Sequence, residues 1–358
     1  MYIRALHKAL LILISLLAFP LSANAANHCV IIQYHHISEK TPAVTSVTPA
    51  QFDAHLKYLS DNDFNVLPLQ DVVTQLQNHI ELPDKCISLS VDDAYESVYT
   101  TAYPRLKKYG WHLTTFVNTE AVDEQRKPYM TWSQMREMAK DGFSFENHSH
   151  SHEHLIRQDK NESHDDWQQR VAAEILTAQN RLTSELGISP TLFAHPYGEF
   201  NPEIVAMVKQ FGLTGFGQQS GPVWPDANKG ALPRFPMAAN YANLPGFITK
   251  VNSFAMPVSQ ALPEDPLLAI DNHQPELLLQ FVPGSFRKDN IQCFVNGSKN
   301  VSMSWIDTYT LSVKPNFDLP AGRSRTNCTM PSNQKGRFHW YSHNWIKRHT
   351  DGSWYQEY

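Results

Sequence analysis

Leu89-Ser90-Val91-Asp92-Asp93 is the stretch on which the reading of this chain turns. Just upstream, Cys86-Ile87-Ser88-Leu89 is a short apolar and β-branched run, the pattern of a buried strand. Just downstream, Ala94-Tyr95-Glu96-Ser97 is polar and helix-starting. Two adjacent acids at the carboxyl end of a buried strand stand where α/β folds place their chemistry. Neighbours on a strand point to opposite sides, so the two carboxylates can take different jobs. An isolated Asp-Asp pair more often just caps the next helix. Partners elsewhere in the chain must decide.

On either side of this stretch, strands and helices alternate. Val30–Tyr34 reads as a strand ending at His35-His36. Thr48-Pro49-Ala50-Gln51 starts a helix, with Thr as cap, Pro at the first helical position and Gln three residues after the cap. A short helix over Leu69–Leu76 precedes the Asp92 strand. After it come a helix ending at Gly110, a strand over His112–Val117, a helix from Thr131 and a strand from Gly142. Trp167, Val171, Ile175, Leu182 and Leu186 fall on one face of a long helix closed by Gly187. Strand Thr191–Ala194, helix Pro202–Phe211 and strand Leu213–Phe216 complete the series. Such alternation predicts a parallel sheet or barrel with its site at the strand carboxyl ends.

From Met256 to Pro266 three prolines and few apolar anchors read as a linker, assigned to residues 256–265. Beyond it, short apolar runs alternate with Pro, Gly and Asn turns, which suits a small all-β sandwich over residues 266–358. Trp305, Trp340, Trp345 and Trp354 lie in this tail. Aromatic rings can stack on sugars, giving a glycan contact through the C-terminal domain, although core packing of a small β domain accounts for them more readily.

The N-terminus reads as a signal peptide over residues 1–25. Arg4 and Lys8 precede an apolar run from Ala9 to Phe19, and Ala23-Asn24-Ala25 offers a small-x-small cleavage site. The expectation is export, to the periplasm or beyond, after cleavage near Ala25. Four cysteines, an even number without CxxC spacing, suit an oxidising compartment and not a thiolate zinc site. Spacing leaves their pairing open; joining Cys29 to Cys86 and Cys293 to Cys328 keeps each bridge inside one domain. A net charge of −5 gives no reason to propose nucleic acid as a partner.

Three further features carry chemistry. The run Glu146-Asn147-His148-Ser149-His150-Ser151-His152-Glu153-His154 sets four histidines at alternate positions after an apolar strand. His148 and His152, four apart, can aim both imidazoles at one ion, and Asp92 or Asp93 would add a carboxylate. Phe193-Ala194-His195-Pro196-Tyr197-Gly198 runs from a strand into a sharp turn whose N–H groups can face a developing oxyanion. Tyr34-His35-His36 lies at another strand end. The competing reading is an exported metal-binding protein that uses the His148–His154 loop.

Taken together and in this order, these features resemble the polysaccharide deacetylase family, the NodB-homology carbohydrate esterases. Val91-Asp92-Asp93-Ala94 matches its Thr-Phe-Asp-Asp-Gly motif, with Ala94 in place of glycine. Asn147-His148-Ser149-x-x-His152 matches His-Ser/Thr-x-x-His, and Pro196-Tyr197-Gly198 matches the end of Arg-x-Pro-Tyr-Gly. Tyr34-His35-His36-Ile37 is similar to the Tyr-His-x-Ile/Val of a permuted subgroup that includes poly-N-acetylglucosamine deacetylases. The resemblance covers roughly residues 29–255 and implies a distorted (β/α) barrel catalytic domain over 26–255. It implies Asp92 as general base, a divalent metal, commonly zinc, on Asp93, His148 and His152, and the Tyr197 backbone at an oxyanion hole. His35 is the implied general acid, with His36 the weaker choice. The family's motif arginine is Ala194 here, and Arg234 is the candidate substitute. The implied activity is removal of N-acetyl groups from an N-acetylglucosamine-containing polysaccharide. If Ala194 instead marks a lost site, the chain is a catalytically inactive sugar-binding relative.

Overall fold

The computed structural model describes residues 27–284 and 288–357. The expected signal peptide lies outside the described residues. An eight-stranded parallel sheet runs in the order Phe235–Pro236, Val30–Tyr34, Cys86–Asp92, Thr114–Val117, Ser144–Asn147, Leu192–Ala194, Thr214–Phe216, with Asn65–Val66 joining the start of Cys86–Asp92. Every residue of Cys86–Asp92 is buried, as its unbroken apolar run requires of a strand covered on both faces. The helix signals form as read. Pro49–Asp61 and Trp132–Lys140 both begin with a complete capping box, and His164–Leu186 ends on Gly187 at φ 68°.

One segment draws the two edges of the sheet together. Leu232 exchanges backbone hydrogen bonds with Gly215 and Gly217 beyond one edge, and Phe235–Pro236 pairs with Val30–Tyr34 at the other. The strap Leu232–Pro236 thus closes the sheet into a distorted barrel, and Arg234 is at its centre. All the strands point their carboxyl ends to one rim, which collects the ends of Val30–Tyr34, Cys86–Asp92, Ser144–Asn147 and Leu192–Ala194.

The C-terminal region is an all-β sandwich. One four-stranded sheet runs Phe254–Ala255, Phe338–Lys347, Gly322–Pro331, Gln292–Val295, and the other Val258–Leu262, Leu277–Phe281, Thr310–Pro315, Val301–Trp305. Leu277, Leu279, Phe281, Leu311 and Val313 of one sheet meet Cys293, Val295, Cys328, Met330 and Trp345 of the other in a single apolar cluster. The two disulfides, Cys29–Cys86 and Cys293–Cys328, each join neighbouring strands within one region.

The residues expected as a linker, 256–265, are not one: Val258–Leu262 is a strand of the second sheet. The prolines flank this strand and do not enter it: Pro257 precedes it, and Pro263 and Pro266 follow it. Nor can Trp345 contact a glycan. It is 1% exposed, and its indole N–H donates to Thr326 Oγ1 at 2.9 Å. Trp345→Ala should therefore destabilise the protein by about 3–5 kcal/mol through the cavity it leaves. Denaturant unfolding checks this, and a loss below about 1 kcal/mol would contradict the burial.

Candidate active site

Asp92 is the last residue of its strand and points into the barrel. It is 0% exposed, as is Arg234, whose guanidinium grips it with both arms: Nη1 donates to Oδ1 at 2.6 Å and Nη2 to Oδ2 at 2.8 Å. Gln33 Nε2 donates to Oδ2 at 2.6 Å. Three of the roughly four lone-pair positions of the carboxylate are filled, which leaves one for an incoming water. Burial pushes the Asp92 carboxyl up, but the paired Arg234 guanidinium outweighs it, so Asp92 is held below the usual carboxylate range. Arg234 is itself fixed by the Gly217 carbonyl, which accepts from Nε at 3.0 Å, and lies over the Phe116 ring at 5.1 Å.

Asp93 turns the opposite way. Its φ is 71° and that of Ala94 is 56°, so Ala94 accepts at the family's glycine position the left-handed backbone that glycine adopts most easily. Asp93 Oδ1 lies 3.3 Å from His148 Nε2 and 3.2 Å from His152 Nε2. One ligand atom from each of these three residues falls within 4.8 Å of the others. Two donors held about 2.0–2.1 Å from a tetrahedral ion are roughly 3.3 Å apart, so these spacings suit one divalent cation. Asp93 Oδ1 and His148 Nε2 are buried without a hydrogen-bond partner, and shared coordination would satisfy both.

The backbone sets the ligand orientation. His148 Nδ1 faces the Ala194 carbonyl at 2.8 Å; a carbonyl can only accept, so Nδ1 carries the proton and the Nε2 lone pair points at Asp93. His152 has φ 64°, which folds its imidazole back over the site, 4.8 Å from that of His148. Burial lowers the His152 imidazole to about 4, with Asp93 opposing, so it is neutral and able to ligate at ordinary pH. Ala194, where the family motif has arginine, contributes its carbonyl, and the guanidinium beside Asp92 is that of Arg234.

The remaining expected residues divide. Tyr34 is buried and donates through its hydroxyl to His55 Nδ1 at 3.0 Å, since His55 Nε2–H is engaged by the Ala242 carbonyl. That anchor leaves His35 at the half-buried rim, near Asp92, Asp93 and His152. His36 is stacked on Tyr95 at 3.5 Å, and burial lowers it to about 4. Tyr197, at φ 57°, heads the Pro196–Gly198 turn with its ring 4.6 Å from that of His152. His150 pairs with Thr119, His154 with Glu199, and His195 with the Gly230 carbonyl, so none of these joins the Asp93 cluster.

Sequence reading missed two residues. Gln33 was signalled only as the polar residue inside an apolar strand. Tyr95, whose hydroxyl reaches Asp93, gave no sign beyond standing two residues from it; burial and the Asp93 charge push its phenol up.

Comparison with known proteins agrees with this geometry. Residues 79–216 match the family model described as polysaccharide deacetylase. A Bacillus subtilis (strain 168) protein named for the same family is 30% identical over 182 residues, 51% of this chain and 61% of the relative. The chain thus spans about three-fifths of that relative's length. A poly-beta-1,6-N-acetyl-D-glucosamine N-deacetylase of Staphylococcus aureus (strain MRSA252) is 28% identical over 206 residues, 56% of this chain and 71% of the relative. Among solved structures, a Streptococcus pyogenes deacetylase in complex with acetate superposes with a TM-score of 0.56 at 25% identity, covering 63% of this chain and 98% of that one. The motif residues, the barrel that carries them and these matches together make residues 79–216 similar to the polysaccharide deacetylase family.

Proposed function

We propose that the protein is a metal-dependent N-deacetylase acting on an N-acetylglucosamine-containing polysaccharide and releasing acetate. The observation that carries this reading is the convergence of Asp93, His148 and His152 beside a buried, separately held Asp92. The match to polysaccharide deacetylases, one of them named for poly-N-acetylglucosamine, supports the substrate class. The catalytic unit extends to about residue 255, followed by the β sandwich. Two disulfides favour an exported protein, periplasmic or secreted.

An N-acetyl amide is a poor electrophile and neutral water a poor nucleophile. A divalent cation, zinc foremost, on Asp93, His148 and His152 would supply polarisation of the acetamide oxygen and acidification of water. Asp92 takes the proton as water attacks, through the lone-pair position that Arg234 and Gln33 leave open. The Tyr197 N–H stabilises the developing negative oxygen. His35 protonates the departing amine, which must leave protonated for the C–N bond to break.

Acetate release from acetylated glucosamine oligomers, measured with chelator and then with added zinc, tests the reading. Chelator-sensitive release is expected. Metal binding without release would favour a metal-handling protein, and sugar binding without either an inactive relative. Against inactivity stands Arg234, which occupies the role that Ala194 cannot fill. His35→Ala should lower kcat on the order of 10²–10⁴-fold with metal content unchanged. An unaltered pH–rate profile in that variant would move the acid elsewhere.

A further inference from the structure

The strand Gly322–Pro331 of the sandwich has two faces. Ser324, Thr326, Cys328 and Met330 are buried toward the sandwich core, and the alternate residues Arg323 and Arg325 reach across to the barrel rim. Arg323 Nη1 donates to the Tyr197 carbonyl at 2.9 Å, its guanidinium lies 5.6 Å from the Tyr197 ring centroid, and Nη2 pairs with Glu357 at 2.6 Å. The ring is also stacked by His154, at 3.8 Å and 8°, whose Nδ1–H donates to Glu199 at 2.8 Å. Buried Glu199 also accepts from the Tyr355 hydroxyl, and Arg323 lies 3.7 Å from it. Tyr197 therefore keeps a left-handed backbone, costly for a non-glycine residue, inside a frame partly built by the sandwich.

Arg325 grips the next turn. Nη2 donates to the Gln218 carbonyl at 2.8 Å and Nη1 to Ser220 Oγ at 3.0 Å. That turn holds the arginine of the site: the Gly217 carbonyl accepts from Arg234 Nε, and the Gln219 carbonyl from Arg234 N–H at 2.9 Å. The two turns also touch, because a Cβ on Gly198 would meet the Gln218 backbone nitrogen at 2.8 Å. Among its named hydrogen-bond partners, Ser220, Gln218 and Asn344, Arg325 has no carboxylate, so its charge serves to fix neutral groups.

We infer that the C-terminal sandwich completes the active site, with Arg323 and Arg325 as positioning residues that clamp the Tyr197 turn and the turn carrying Arg234. Both residues lie outside the family match of 79–216. The inference rests on the deacetylase reading for its catalytic consequence. Its structural content stands apart from that reading and has its own measurement.

The test uses the full chain, with Arg323→Ala and Arg323→Lys compared with the unaltered protein. In Arg323→Ala, kcat for acetate release falls about 10- to 100-fold while KM stays within about threefold. One equivalent of zinc is retained, and added guanidinium restores part of the lost rate. Arg323→Lys is intermediate, since one ammonium cannot bridge Tyr197 and Glu357 as a planar fork does. Independently of activity, the Gly198 amide, which donates to the His195 carbonyl, exchanges at least about tenfold faster in Arg323→Ala. Unchanged kcat together with unchanged exchange overturns the clamp, as does a loss of kcat that merely follows loss of metal or of folding. If the unaltered protein releases no acetate, the deacetylase reading fails, and exchange at Gly198 alone decides the clamp.

Discussion

Asp92→Asn keeps the metal and loses turnover, by about 10⁴-fold or more. The carboxylate lies outside the Asp93, His148 and His152 cluster, so metal content should be unaffected. Asparagine fills the same volume but cannot accept a proton from water. The substitution also leaves the Arg234 guanidinium buried opposite a neutral amide, a loss of about 3–5 kcal/mol for a broken buried pair. Catalytic and structural costs must therefore be separated. In the double variant Asp92→Asn/Arg234→Met both charges are gone, and stability should return most of the way while activity does not. Recovery of turnover in the double variant, or a single variant within tenfold of the original rate, would end the assignment of Asp92 as base.

The same pair makes stability depend on pH with a definite sign. The folded Asp92 carboxyl lies below its unfolded value of about 3.9, so the pair's contribution is fully present above that pH. It is lost as pH falls through the folded value. Thermal unfolding followed downward from pH 6 should show a steeper fall for the unaltered protein than for the double variant, which has no carboxylate there to protonate.

His148→Ala should lose metal and activity together, in contrast with Asp92→Asn. The His148 imidazole is buried, its tautomer set by the Ala194 carbonyl, and its Nε2 is one of the two buried atoms that a shared ion would satisfy. Disturbing a supporting group around a metal ligand costs about 10- to 100-fold in affinity, so deleting the ligand should cost more than about 100-fold. Titration of the apo-protein with zinc measures this directly, and chelation of the unaltered protein should reproduce the activity loss reversibly. Zinc affinity unchanged in His148→Ala would mean that the Asp93 cluster does not hold the metal.

Expectation and structure part company in the C-terminal half for a physical reason. Gly322–Pro331 buries Ser324, Thr326, Cys328 and Met330, residues too weakly apolar to announce a strand. Thr326 is tolerated inside because its hydroxyl accepts the Trp345 indole N–H. Val258–Leu262 was hidden by the prolines that flank it and by its largely exposed edge position. In both, cross-strand pairing supplied what local composition withheld.

What the sequence determined alone was local: the order of strands and helices, the Asp92-Asp93 pair at a strand end, and the His148/His152 spacing. Backbone periodicity orients side chains one or four residues apart without help from the rest of the chain. Which partner meets which carboxylate was decided only in three dimensions. Arg234 stands 142 residues from Asp92 and Gln33 stands 59, and Arg323 reaches Tyr197 across 126. No pattern along the chain encodes those meetings. They arise because the strap Leu232–Pro236 closes the barrel over Asp92 and because the outer face of the sandwich lies against the rim, and both are matters of packing.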